Sequence, residues 1–593
     1  MPTGSTMRCL RAFPVILAFL AILCPVGACL AADQVEVVVE GIADDALENV
    51  RAALALPHGL VRDGKVDRLW LDRFADQADE KIKAALEPYG YYNAQDTITV
   101  EEPEKGDFRV RVVVQPGNQV RIEELQVSLH GPGATAEQLR DLVAAFPLEK
   151  GGILLQQEYE QAKKALKSTA VSLGYLDADF PAHEIRINKG ASSARVQLVL
   201  DTGTRYSFDG IRIEGAPDYP DDYLRRNLAF RSGDIFSYAK LGETQLNFSN
   251  SEHFKKVIIT PEKQKAEGFK VPVLVQLTPA PRWSLRPGIG YGTDTGARLS
   301  LRYRDLNMFH LGHEFYSNLF IAENLQGLAT GYVWPDSKDI KSSTTLQLNL
   351  QRDDVTTYVS RLIAVELDRN RSLRHGDLGT AYIKLQQEDF TIGAQNSGTR
   401  LVLPGLRLNG DHYDNLIRPT HGYHYGFDLR GTHSFLGSDT ELLQLVSDGS
   451  CLFALPWRLS LHTRATAGIT LLSDPLKDLP PSLRFFAGGD QSVRGYTYKS
   501  IGPRDATGQV VGGKHLLTGS VELERALFKN WGVSAFYDAG NAFNSFVKVT
   551  MFQGAGIGLH YYTPIGGLNL FLARQIGIAN PGYHIHFTVG FEL

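Results

Sequence analysis

Cysteine is scarce in this 593-residue chain, and its placement is informative. Cys9, Cys24 and Cys29 lie near the amino terminus, which leaves Cys451 alone in the remainder. A single cysteine makes no intrachain disulfide and gathers no cysteine–histidine metal cluster, so Cys451 reads as a small apolar strand residue. Basic excess is also missing: 61 Lys and Arg stand against 66 Asp and Glu, for a net charge of −5. Sequence-independent nucleic-acid binding wants a clustered positive face, and no Lys/Arg run supplies one. After residue 32 no stretch approaches the ~20 apolar residues of a membrane-spanning helix. Catalytic signatures are absent too: there is no G-x-S-x-G elbow, no H-E-x-x-H and no Walker loop. The sixteen histidines are scattered. His310 with His313, and His584 with His586, have pair-like spacing but read as lumen or loop residues. The expectation is a protein without catalytic residues, metal or cofactor.

What is present begins with an export signal. Arg8 and Arg11 precede an apolar run from Phe13 to Val26, broken by Pro14 and Pro25, and small residues follow. That is the layout of a secretory signal peptide, with cleavage expected after Ala31 and residues 1–31 removed. A second reading, with Val26-Gly27-Ala28-Cys29 as a lipid-attachment box, stays open; both readings export the chain. Glycine is abundant, at 57, and aromatics make up 10%, a mix that suits many turns and aromatic-rich strands. A mean hydropathy of −0.16 is compatible with a β-barrel, in which only alternate residues meet lipid.

Residues 33–281 carry an internal repeat. Val112 to Gly131 and Leu198 to Gly215 each read as a strand, a turn at P-G-N or T-G-T, and a strand ending in glycine. Y-G-Y-Y-N-A at Tyr89–Ala94 matches L-G-Y-L-D-A at Leu173–Ala178. The order predicted within each unit is strand, helix, helix, strand, strand. In the first unit, Leu71, Phe74, Ala78, Ile82 and Ala85 form one helical stripe. In the second, Thr135 and Gln138 suit a capping box. Leu139, Leu142, Val143 and Phe146 then share one helical face, and Tyr159, Ala162, Leu166 and Leu173 form the next stripe. Gly174 suits a helix C-cap. In the third, Val271, Val273, Val275 and Leu277 alternate, and Pro272 points to an edge position, because proline donates no ladder bond.

From Arg282 helical stripes vanish and two-residue alternation takes over. It is clearest at the end, where Tyr583, Ile585, Phe587, Val589, Phe591 and Leu593 alternate with His584, His586, Thr588, Gly590 and Glu592. Alternation alone fits a soluble sandwich as well. The export signal, the long series of strands and the aromatic residues near strand ends favour a transmembrane barrel.

Within that half lies F-F-A-G-G-D-Q-S-V-R-G-Y-T-Y-K-S-I-G-P-R-D, from Phe485 to Asp505. Aromatic residues this dense suggest a long connection folded back inside something. The motif Val493-Arg494-Gly495-Tyr496, with F-x-G-G-D before it, resembles the signature of the Omp85 family of outer-membrane β-barrels. The repeat resembles that family's periplasmic POTRA domains, and three of them fit its TamA branch. The implied organisation is a signal peptide (1–31), α+β POTRA domains at 33–117, 118–203 and 204–281, and an antiparallel barrel at 282–593. Sixteen strands are implied by the resemblance; the length itself permits fourteen or eighteen. Pro419 to Tyr423, P-T-H-G-Y, resembles a periplasmic turn of the same family.

The resemblance also implies roles. Arg494 would pin the loop to lumen-facing acids, Asp538 and Glu522. Alternation in Gly519–Arg525 and Val533–Asp538 independently puts Glu522, Glu524 and Asp538 opposite the apolar face. The first strand, with Pro287, Gly288, Gly290 and Gly292, would close weakly on the last, with Phe587 and Gly590, forming a lateral gate. Gly590 would allow an inward bend there. The implied function is a gate-operated insertase assembling autotransporter-type barrels. Its partners would be a TamB-like inner-membrane-anchored protein held by the POTRA domains, client outer-membrane proteins and outer-membrane lipids. A role in phospholipid passage to the outer membrane is a further implication. The alternative is a two-partner-secretion transporter passing substrate through the lumen, a type with two POTRA domains and a plug helix. A plain channel leaves the repeats unexplained, and a barrel-tethered lipase lacks its serine motif.

Overall fold

A computed structural model describes residues 35–62, 65–104, 107–415, 419–563 and 566–590. The expected signal peptide and the last three residues lie outside them. The chain divides after Tyr206 into two compact units.

The first unit holds two α+β modules. In the first module, the strand Val35–Glu40 pairs parallel to Asp107–Gln115, which pairs antiparallel to Gln95–Glu104. The expected helical stripe is buried at Leu71, Phe74, Ala78, Ile82 and Ala85, but two helices carry it, Arg68–Asp76 and Ala78–Leu86. Asp67 caps the first, accepting from the amides of Leu69 and Trp70 at 3.1 and 3.3 Å. A further helix, Asp44–Ala53, and a small hairpin precede them. The second module follows the expected order more closely. Its helix Glu137–Ala144 starts after Ala136 with no side-chain cap, because Thr135 is taken up in a 3₁₀ turn. The capping box is therefore not formed. The helix Gln156–Ser172 ends at Gly174 as expected, with the Tyr175 amide donating to Ala170 O at 3.0 Å. The repeat marker has a structural counterpart. Gly90 O accepts from the Val120 amide and Gly174 O from the Tyr206 amide, both at 2.8 Å.

The third module opens the second unit. Its last strand, Lys270–Pro279, is central, flanked by Phe254–Pro261 and Ser207–Glu214. Pro272 therefore does not mark an edge. The register against Ser207–Glu214 shifts between Val271 and Val273, so Pro272 sits in a bulge where no ladder donor is needed.

This module is tied to the barrel. The Asn307 side chain donates to Asp218 O at 3.0 Å, and Arg304 pairs with Glu252 at 2.5 Å. Beside Glu252, His253 is buried against Tyr219, Tyr223 and Phe254. Burial, reinforced by Arg304 and Arg226, lowers its imidazole from 6.5 to about 4. Between those values the unfolded chain binds the extra proton. The resulting stability is therefore complete above pH ~6.5 and is lost as pH falls through ~4, amounting to roughly 3 kcal/mol. Amide protection factors across residues 219–254, taken relative to the intrinsic exchange rate at each pH, are expected to fall at pH 5 relative to pH 7.5, and His253→Phe to flatten that dependence. Equal protection at both pH values in the parent protein would refute this.

The barrel closes with sixteen antiparallel strands, from Trp283–Gly292 to Tyr583–Gly590. Its faces are inverted relative to a soluble protein. On the sixth strand, Tyr358–Ser372, Ile363, Val365 and Leu367 are exposed outward while Ser360, Glu366 and Asp368 are buried inward. The twelfth strand, His515–Ala526, repeats this with Val521 and Leu523 outside and Ser520 and Glu524 inside. An apolar exterior around a polar lumen is what lipid demands, and barrel closure pairs strand edges that hydrocarbon cannot solvate. No helix among the described residues is long and apolar enough to cross a membrane; the strands do so.

Candidate functional site: a lumenal loop beside the barrel seam

The connection between the eleventh strand, Leu459–Leu472, and the twelfth, at residues 473–514, folds back into the lumen. It forms its own ribbon: Phe485 exchanges both backbone hydrogen bonds with Gly513, and Ala487 with Ile501. Ala487, Val493, Tyr496 and Ile501 make a small core against the wall. The aromatic density in the sequence thus serves packing inside the barrel.

At the tip, Arg494 is 2% exposed and Asp538, on the thirteenth strand (Trp531–Phe543), is 0% exposed. The guanidinium grips Asp538 with Nε and Nη2 at 2.8 and 2.9 Å. Nη1 donates to Glu522 at 2.6 Å and Nη2 to Ser520 at 3.0 Å. The Arg494 amide also donates to Asp538, at 2.9 Å. Phe536 and Phe571 stack on the guanidinium, with centroids at 3.5 and 4.6 Å. A planar fork between aromatic faces and carboxylates suits arginine and not lysine. Gly495 adopts φ +97°, and a Cβ on Gly554 would lie 2.0 Å from Arg494 O, so the fourteenth strand, Phe552–Thr563, admits the tip only with glycine there. Glu524 faces the lumen as expected but serves other partners, His462 at 3.2 Å and Tyr562 at 2.7 Å.

The base of the loop is held on the other side of the ring, by strands five to seven, the fifth being Ser342–Val355. Glu388, on the seventh strand (Leu378–Ile392), accepts from Ser360 at 2.6 Å and from both the amide and the hydroxyl of Ser482. Lys499 reaches Tyr358 and lies 3.6 Å from Asp353. Sequence reasoning missed this second anchorage. Alternation places Glu388 on the lumen face, but nothing local marks Ser482 as its partner.

The seam is thin. Gly290 stands opposite Gly590, Tyr291 opposite Val589 and Gly292 opposite Thr588, and there the register ends among the described residues. The first strand's other side pairs fully, from Trp283–Asp305 to Gly292–Gly296. On that side Gly288 pairs with Ser300; its seam side falls outside the described residues. Phe587 is not opposite Gly290: its carbonyl accepts from the Thr293 amide at 3.0 Å, and its ring lies 6.2 Å from Tyr291. The rings of His584 and His586 lie side by side, with centroids 6.4 Å apart. His586 turns inward, 3% exposed, and its Nε2 accepts from the Gly495 amide at 3.0 Å.

Comparison with known proteins places these features. A model of the Omp85 superfamily domain matches residues 286–593. One described as POTRA domain TamA domain 1 matches 36–116, and a POTRA model, surface antigen variable number repeat, matches 206–279. The outer membrane protein assembly factor BamA of Nitratidesulfovibrio vulgaris is 21% identical over 426 residues, 68% of this chain and 53% of that protein. A putative outer membrane protein assembly factor of Treponema pallidum is 23% identical over 272 residues, 44% of this chain and 32% of that one. The chain thus spans about half the length of the first of these relatives and less of the second. Among solved structures, BamA from Haemophilus ducreyi lacking POTRA domains 1–3 superposes with a TM-score of 0.65 at 18% identity, covering 79% of this chain and 99% of that one. That likeness is one of fold.

Proposed function

Since the chain belongs to the Omp85 superfamily, with its barrel in the Gram-negative outer membrane and its POTRA domains in the periplasm, we propose that it is a TamA-type insertase, not an enzyme. It assembles autotransporter-type barrels through the seam between its first and last strands. The observation that carries this reading is the glycine-rich seam, where Gly290 faces Gly590 and Gly292 faces Thr588, so few side chains pack across it. A ladder so weakly packed costs less to open, and its opened edge offers main-chain groups to an incoming client strand. Client folding supplies the driving force, by satisfying strand edges and burying apolar faces in lipid. The TamA-type assignment is supported by three α+β modules and by the match of the first to a TamA POTRA domain. It carries with it a TamB-like inner-membrane-anchored partner held by the POTRA domains, and a role in phospholipid passage to the outer membrane.

The rival is a two-partner-type transporter that passes its substrate through the lumen. Against it stands the loop, anchored at once on strands five to seven and on strands twelve and thirteen, across the ring. A photocrosslinker at Leu285 or Ile289 is expected to capture an autotransporter client during assembly, and one at Glu388 is not. Adducts confined to Glu388 would favour passage through the lumen.

A further inference from the structure

The loop tip does more than hold the wall of strands twelve and thirteen: it touches both sides of the seam. On the side of the first strand, the hairpin Thr293–Thr295 carries Asp294, 8% exposed, whose Oδ2 accepts from the Asp490 amide at 2.8 Å. On the side of the last strand, His586 Nε2 accepts from the Gly495 amide at 3.0 Å. Asp490 and Gly495 belong to one tight turn of the loop, closed by the Gly489 amide donating to Tyr496 O at 3.1 Å. Because His586 Nε2 is the acceptor, its ring proton resides on Nδ1. That atom has no hydrogen-bond partner and faces Asp294 Oδ1 across the seam at 3.9 Å. The turn itself is fixed from behind. Gly495 O accepts from Gln575 Nε2 at 2.8 Å, Asp490 O accepts from Arg464 Nη2 at 2.8 Å, and Arg494 is clamped on Asp538.

A third tie runs beside these two. Arg298, on the second strand (Gly296–Met308), reaches past the first strand to donate to Val589 O on the last, at 3.3 Å. It can do so because position 290 has no side chain: a Cβ there would lie 2.6 Å from Arg298 Nε. Gly290 thus shortens the seam's own packing and at the same time admits a tie across it.

We propose that the turn Gly489–Tyr496 is a clasp across the seam, with Asp294 and His586 as positioning residues that hold the first and last strands to one rigid loop. Opening the seam then requires release of the Asp490 amide by Asp294, or of the Gly495 amide by His586. The loop's state and the gate's state are one coupled equilibrium, in which a client strand competes with the clasp as well as with the seam ladder. This inference rests on the lateral-gate reading only for its meaning in assembly; the clasp itself is testable on the isolated full-length protein.

The test places spin labels at positions 291 and 589 in a Cys451→Ser background and measures their distance distribution in lipid vesicles. The parent protein is expected to give one short distance. Asp294→Ala and His586→Ala are each expected to raise the long-distance population about two- to tenfold, the range that loss of one net hydrogen bond spans. Asp294→Asn keeps an acceptor oxygen for the Asp490 amide and is expected to behave as the parent, whereas a merely electrostatic role for Asp294 would make it behave as the alanine variant. His586→Gln keeps an acceptor and is expected to restore part of the short distance. Heat-modifiable gel mobility, which reports a closed folded barrel, separates release from misfolding. A distribution unchanged in both alanine variants and in their combination overturns the clasp. Failure of the gate reading looks different: assembly would proceed with the seam held shut, whatever the distances report.

Discussion

Replacing Arg494 with alanine is expected to free the lumenal loop and abolish client assembly. The substitution leaves Asp538, which has no exposure to solvent, without its ion-pair partner, and removing one partner of a buried ion pair costs roughly 3–5 kcal/mol. It also removes a ring-stacked guanidinium from between Phe536 and Phe571. The loop keeps its ribbon bonds and its anchorage on Glu388, so the tip is released while the base stays in place. Amide exchange should therefore rise steeply over residues 488–498 and less around Ser482. Lysine is not expected to rescue, because one ammonium cannot reproduce the two-pronged grip on Asp538 together with the bonds to Glu522 and Ser520. The double variant Arg494→Ala, Asp538→Asn should lose less stability than Arg494→Ala alone, since the charge at position 538 is no longer stranded. Wild-type protection at the tip of the alanine variant would show that the grip holds nothing.

A disulfide across the seam is expected to stop assembly altogether, and reductant to restore it. The sequence suggests Gly290 and Phe587 as facing positions, but the register places Tyr291 opposite Val589, and that is the pair to use, with Cys451→Ser to remove the competing thiol. Directly opposed residues of an antiparallel pair have Cβ atoms about 4.5–5.5 Å apart, a small adjustment from the ~3.8 Å of a disulfide. Gly290 is unsuitable: a Cβ there also lies 2.6 Å from Val589 O. Surface display of a reporter autotransporter in whole cells is the readout, with each single cysteine as control. Display that persists under oxidation would mean that clients do not pass the seam, and the lumen or a scaffold role would become the better explanation.

Period and composition made much of this legible in the sequence. Two-residue alternation defined the barrel strands, and it put Glu522, Glu524, Asp538 and His586 on one face and Val521, Tyr537 and Ile585 on the other. Helical stripes located the cores of the first two modules, because side-chain burial follows backbone period. The cap at Thr135 and the edge assignment of Pro272 did not survive, for one reason. Both were inferred from what a residue does locally, while a 3₁₀ turn and a bulge in a central strand absorbed those residues instead.

Strand number, register and partners across long separations were settled by the tertiary structure alone. Alternation says which face a residue occupies but not which residue of a neighbouring strand it meets, and a shift of two residues preserves the pattern while changing every pair. So Arg494 and the acids on its side of the wall could be read from the chain with the help of a family motif. The bonds of His586 to Gly495, Asp294 to Asp490 and Glu388 to Ser482 could not. Each joins groups about 90 to 200 positions apart in the chain, and only closure of the ring with the loop inside brings them within hydrogen-bonding distance.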